Sequence, residues 1–220
     1  MSTNSPQALA LSRDPVTGCL ACTGRFDAPH ETLEVHSKGL VETGPAAAGD
    51  MPPAPYHLLP TPLTAAGAGL RALFESLRSR LGADEAANAA ALMHAVHGSL
   101  VYRPGATSTR TSAEEALAAG CGVCQDYAHI LIALLRMAGI PALYAAGLMQ
   151  GTGVTHAWVQ AWAGGRWLGL DPTHDVPAEG AYIVLARGCD FADAALERGV
   201  FLGQARQTIQ TTAVVEALAS

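Results

Sequence analysis

The chain of 220 residues is half hydrophobic and only 15% charged, with a formal net charge of −6. This composition excludes a disordered chain, and with Lys38 as the only lysine there is no basic patch to hold nucleic acid. No apolar run approaches the roughly 20 residues that cross a bilayer.

The opening MSTNSPQALALSRDP has no basic region followed by an apolar one. Together with five irregularly spaced cysteines, this leads us to expect a cytoplasmic protein with reduced thiols and no membrane association. Residues 16–42 read as strands: Thr32 to His36 alternates, and Leu40–Val41 follows a Ser37–Lys38–Gly39 turn. Residues 1–44 are therefore expected to form a short β appendage. Prolines crowd into MPPAPYHLLPTP, so 45–62 reads as a linker lying on the surface. Residues 63–220 form the main domain. The appendage and linker are the surfaces on which a homodimer would be sought.

Two amphipathic helices follow. Leu70, Leu73, Phe74, Leu77 and Leu81 make one stripe, ended by Gly82. Ala89, Leu92, Met93, Val96 and Leu100 make the next, fraying at Gly98. After the loop VYRPGATSTRTS, both Thr111/Glu114 and Ser112/Glu115 fit a capping box for a short helix running to Gly120. The next helix starts near Cys124, is apolar almost all round, and stops at Gly139 and Pro141. Ala142 to Met149, a Gly151–Gly153 turn, His156 to Ala163 and Arg166 to Asp171 complete the pattern. Gly164–Gly165 closes the last two segments into a hairpin.

Cys124 stands at the first turn of a buried helix, where unpaired N–H groups and the helix dipole favour a thiolate. A nucleophilic cysteine needs a base within reach and a third group to orient that base. The hairpin supplies both. With Gly164–Gly165 as its loop, Trp158 faces Asp171 and His156 faces Thr173. Asp171 is then a diagonal neighbour of His156 on the same face. Singly, each residue has a plain structural reading: a small buried Cys, a strand-edge His, a turn-forming Asp before Pro. Jointly they point to a catalytic triad of Cys124, His156 and Asp171.

The stretches GVCQDYAHILIALLRMAGIPA, THAWVQAW and WLGLDPTH resemble the transglutaminase-like superfamily of papain-like cysteine enzymes. AYIVLARGCDFADAALERGVF resembles the C-terminal part of its bacterial branch of cysteine-protease type. HETLEVHSKGLVE is similar to the end of the β region that precedes the catalytic domain there. The resemblance implies an α+β fold in which the nucleophile's helix packs on an antiparallel sheet carrying His and Asp. It places the nucleophile on Cys124, the base on His156 and the orienting acid on Asp171. The implied chemistry is acyl transfer from a peptide or protein amide through a thioester to water or an amine, without cofactor or metal. Two departures stand out. The β region is short, and no Trp precedes Cys124 to supply an indole oxyanion donor. The Cys124 N–H is the expected remaining donor, with Tyr102 as a candidate second.

Other residues invite competing readings. Cys121 and Cys124 have thioredoxin-like spacing, but a helix rather than a strand leads into them, which disfavours a thiol-redox protein. Pairing them with Cys19 and Cys22 as zinc ligands needs an unusually long separation and would consume the nucleophile. A non-catalytic interaction domain keeping the fold is the remaining alternative, and it has no use for a converging thiol, imidazole and carboxylate. Asp126 suits the helix dipole, and His129 points away from Cys124 into the core. His174 is placed at the site rim, and His94 and His97 in solvent. Trp158 and Trp162 are assigned to the site wall, and Asp190 to a structural role.

Overall fold

The computed structural model describes residues 2–4, 9–13, 19–43, 52–204 and 208–217. It divides into two compact units, Met1–Glu42 and Thr43–Ser220. Among its described residues the first holds four short strands: β1 (Ser2–Thr3), β2 (Ala10–Arg13), β3 (Leu20–Thr23) and β4 (Val35–His36). β1 pairs with β4 and β2 with β3, both antiparallel. The strand expected from Thr32 shrinks to Val35–His36, and Leu40–Val41 is not a strand. Leu11, Leu33, Val35 and Leu40 are all exposed. Without a buried face, alternation has nothing to fix a longer register.

The second unit is α+β. Helices α1 (Ala68–Arg78) and α2 (Glu85–His97) bury the expected stripes: Leu70 and Phe74 on one, Ala89, Leu92, Met93 and Val96 on the other. α1 stops short of Leu81 because its last residues tighten into three-residue turns, Arg80 N–H to Leu77 O and Leu81 N–H to Arg78 O. Strand β5 (Val101–Tyr102), helix α3 (Ala113–Ala119), strand β6 (Cys121–Gly122) and helix α4 (Cys124–Met137) follow. Ser112 and Glu115 form the capping box of α3. Glu114, the other candidate, instead accepts the Gly67, Gly69 and Leu70 N–H groups at the start of α1. α4 is buried from Gln125 to Arg136. A helix apolar on all faces must be enclosed, and here α1, α2 and α3 cover one side and a sheet the other.

That sheet runs through β7 (Ala142–Met149), β9 (His156–Ala163), β10 (Arg166–Asp171), β11 (Val176–Pro177) and β12 (Tyr182–Gly188). Its order is β11-β10-β9-β7-β12, antiparallel throughout. Between β7 and β9, β8 (Gly151–Gly153) is a short strand rather than the expected turn. It pairs with β13 (Ala213–Val215), and helix α5 (Phe191–Ala194) lies between β12 and β13 in the chain. No helix among the described residues is long and apolar enough to cross a membrane.

The Pro-rich segment departs from the expected surface linker. Pro55–Leu58 form a 3₁₀ turn whose His57 is buried against Trp167, with ring centroids 5.6 Å apart. The buried Arg136 explains this. Its guanidinium donates to His57 O, Thr64 Oγ1, Ala142 O and Cys189 O, so a desolvated cation is satisfied only when this segment folds back onto it. Residues 44–51 of the expected linker lie outside the described residues.

Candidate active site

Cys124 is the first residue of α4, so its N–H has no partner within the helix. The approach to it is fixed on both sides. Gly120 ends α3 in the left-handed conformation (φ 63°), and β6 then runs parallel to β5, with Arg103 N–H donating to Gly122 O at 2.8 Å. One turn into α4, the buried Asp126 accepts Val123 N–H at 2.7 Å and Thr107 Oγ1–H at 2.6 Å. A Cβ on Gly122 would sit 2.5 Å from Asp126 Oδ2, so this contact requires glycine. Burial pushes the Asp126 carboxyl above its ordinary value, although both hydrogen bonds pull the other way.

The hairpin has the register expected from its Gly-Gly loop, with Ala163 opposite Arg166 and Leu170 opposite Val159. His156 Nε2 lies 2.8 Å from Asp171 Oδ2, and the Cys124 thiol is near enough to act on the same imidazole. Thiol, imidazole and carboxylate therefore lie together, the last two hydrogen-bonded. Burial by itself lowers the His156 value, but the hydrogen bond and charge of Asp171, with the neighbouring Cys124, outweigh it and push it up to about 9. Burial would raise Asp171, yet the His156 hydrogen bond and charge, with those of His174 and Tyr182, hold it well below the carboxylate range. Trp158 is buried and stacks beside His156, 6.2 Å between centroids and 22° between planes. Trp162 instead packs edge-on against Trp167.

Asp171 is fully buried and takes more donors than the hairpin alone implies. Oδ1 accepts the Thr173 and His174 N–H groups at 2.9 and 3.2 Å. Oδ2 accepts from His174 Nδ1 and Tyr182 Oη, both at 2.7 Å, in addition to His156. His174 thus does more than occupy the rim. Tyr182 carries no local signal, because β12 reaches the site only through its pairing with β7. Gly147 makes that approach possible: a Cβ there would meet Ile183 O at 1.9 Å and the Trp158 ring at 2.7 Å. His156, Asp171 and His174 are also the one group of metal-ligating types converging among the described residues. Their atoms already satisfy one another by hydrogen bonds.

The remaining histidines divide. His129 is fully buried, accepts Phe191 N–H at 3.1 Å and is held neutral by burial, at about 4. It is a core residue, as its position on the helix implied. His94 and His97 are exposed, as expected, and also reach the turn after Asp171. His94 Nδ1 lies 2.6 Å from Asp175 Oδ2, and His97 Nδ1 donates to Pro172 O and Thr173 O. Asp190 caps α5 through Ala192 N–H. Tyr102 lies beside Gly122 in the β5–β6 pair. Its phenol is raised by burial and by the neighbouring charge of Cys124. Cys22, Cys121, Cys124 and Cys189 are free thiols.

Residues 72–172 match the family model of the transglutaminase-like superfamily. The chain is 36% identical over 130 residues to the uncharacterised protein ML0607 of Mycobacterium leprae, covering 54% of this chain and 46% of that one. It is 32% identical over 124 residues to a protein-glutamine gamma-glutamyltransferase of Pseudomonas aeruginosa, covering half of this chain and 19% of that enzyme. A solved structure from Cytophaga hutchinsonii, described as a candidate cysteine protease, superposes with a TM-score of 0.58 at 29% identity, over 64% of this chain and 48% of that one. The chain spans less than half the length of these curated relatives. The superfamily's members generally perform cysteine-dependent acyl transfer, and residues 72–172 of this chain are a transglutaminase-like superfamily domain.

Proposed function

We propose that the chain transfers an acyl group from a peptide or protein amide through a thioester on Cys124. The observation that carries this reading is the thiol of Cys124 at a helix N-terminus, close to the imidazole of the hydrogen-bonded His156–Asp171 pair.

Sγ, having passed its proton to His156, attacks the amide carbonyl carbon. The carbonyl π electrons move onto oxygen, where the Cys124 N–H meets the developing charge and Tyr102 is the second donor. Collapse of the tetrahedral species breaks the C–N bond, and His156 returns its proton to the departing amine. The thioester remains. Water or a primary amine then loses a proton to His156 and attacks it. The acid or new amide leaves, and the proton goes back to Sγ. Asp171 keeps the imidazole oriented throughout and offsets its positive charge.

The test is intact-protein mass spectrometry with peptide amides at limiting acceptor. The wild type should gain the acyl mass and lose it when hydroxylamine or a primary amine is added. Cys124→Ala should gain none. An equal adduct on Cys124→Ala, or none on the wild type across a broad glutamine and peptide-amide panel, would end the proposal.

A further inference from the structure

Asp171 Oδ2 has more donors than it can serve well. A carboxylate oxygen offers about two lone-pair directions, yet three side-chain donors lie at 2.7–2.8 Å from this one: His156 Nε2, His174 Nδ1 and Tyr182 Oη. Oδ1 does not relieve the crowding, because the Thr173 and His174 N–H groups occupy it. Each donor on a shared anion draws charge from the others. A neutral phenol therefore weakens the bond that Asp171 makes to the imidazole.

Tyr182 is held in this place by its own contacts. Its ring packs edge-on against the buried Trp158, at 5.2 Å and 69°, and lies 6.3 Å from the His156 ring. The glycine at 147 lets β12 approach beside it. We infer that Tyr182 is a positioning residue that restrains the basicity of His156 by competing with it for Asp171 Oδ2. His174 makes the same competition from the half-exposed side. The meaning of this device for catalysis rests on reading His156 as the base. Its physical content does not. The ionisable groups facing His156 are Cys124 from α4, Asp171 from β10, His174 from the following turn and Tyr182 from β12.

The experiment is a pH titration of the His156 ring by NMR in the full chain, with His156→Gln identifying the signal. Tyr182→Phe removes the hydroxyl and keeps the ring against Trp158. It should raise the His156 midpoint by about half a unit or more, as expected for freeing a carboxylate from one donor. A packing role alone would lower the melting temperature and leave the midpoint in place, so an unchanged or lowered midpoint overturns the inference. His174→Ala and His174→Asn give a second arm should Tyr182→Phe fold poorly. Ala should raise the midpoint, and Asn, which restores a donor near the Nδ1 position, should return it toward wild type. Equal midpoints for the two overturn the inference as well. The acyl-adduct assay separates the two ideas: a raised midpoint without any thioester upholds the competition and rejects the proposed reaction, and a thioester with fixed midpoints does the reverse.

Discussion

Asp171→Asn is the most informative single substitution. Asn fits the same volume and can still accept the Thr173 and His174 N–H groups through Oδ1. At Oδ2 it presents an NH₂ group to three donors that previously shared an anion. Tyr182 can answer by rotating its hydroxyl. His156 can answer only by giving up the proton on Nε2, which leaves the remaining proton on the nitrogen that faces Cys124. The base then points its lone pair away from the thiol. The His156 value stands about 2.5 units above its ordinary 6.5, at about 9, equivalent to about 3 kcal/mol. Burial opposes that shift and Asp171 is named ahead of Cys124 among the causes that raise it. Most of the 3 kcal/mol, about 2 or more, should therefore vanish with the carboxylate. Ring NMR should place the midpoint in Asp171→Asn at least about 1.5 units lower, and iodoacetamide alkylation of Cys124 near neutral pH should slow by about 100-fold or more. A midpoint still near 9, or an alkylation rate within a few-fold of wild type, would refute the orienting role of Asp171.

The same shift predicts the pH dependence of stability. A histidine with a raised folded value lends stability that is complete below 6.5 and lost as pH rises through about 9, here about 3 kcal/mol at most. Urea denaturation of wild type and His156→Gln at pH 6 and 9.5 should show this loss only in the wild type. Asp171, whose folded value is depressed, adds stability above its ordinary 3.8 that disappears as pH falls below it, and acid titration of Asp171→Asn should lack that contribution. Glu114→Ala removes the acceptor for three N–H groups at the start of α1 and should cost about 1–2 kcal/mol in urea denaturation. Arg136→Met leaves four buried or part-buried acceptors without their donor and should cost about 3 kcal/mol or more, with protease sensitivity appearing first around residues 52–64. Gly122→Ala forces Asp126 away from Val123 and should slow Cys124 alkylation more than it lowers the melting temperature; the opposite ranking would make this contact structural only.

The parts of the site that could be read along the chain are those whose geometry is local. A Gly-Gly loop and strict alternation determine a hairpin register, and that register alone brings Asp171 diagonal to His156. An all-apolar helix with Cys124 at its first turn is equally local. Bringing these two modules together depends on α4 packing against β9 and β7, which no short-range pattern specifies, and the resemblance of the motifs supplied that step. What escaped the sequence is non-local in the same sense. Tyr182 lies 11 positions from Asp171, on a strand that pairs with β7 and slips register between Val184 and Ala186. Thr107 reaches Asp126 from a loop, and Glu114 caps a helix 44 to 47 positions away. The Pro-rich segment looked like a linker because its own composition has no periodicity. Its order comes from Arg136, whose need for acceptors is a property of the folded interior. The helix end and the hairpin thus specify the candidate groups, and contacts from distant elements help decide how strongly His156 and Asp171 hold their protons.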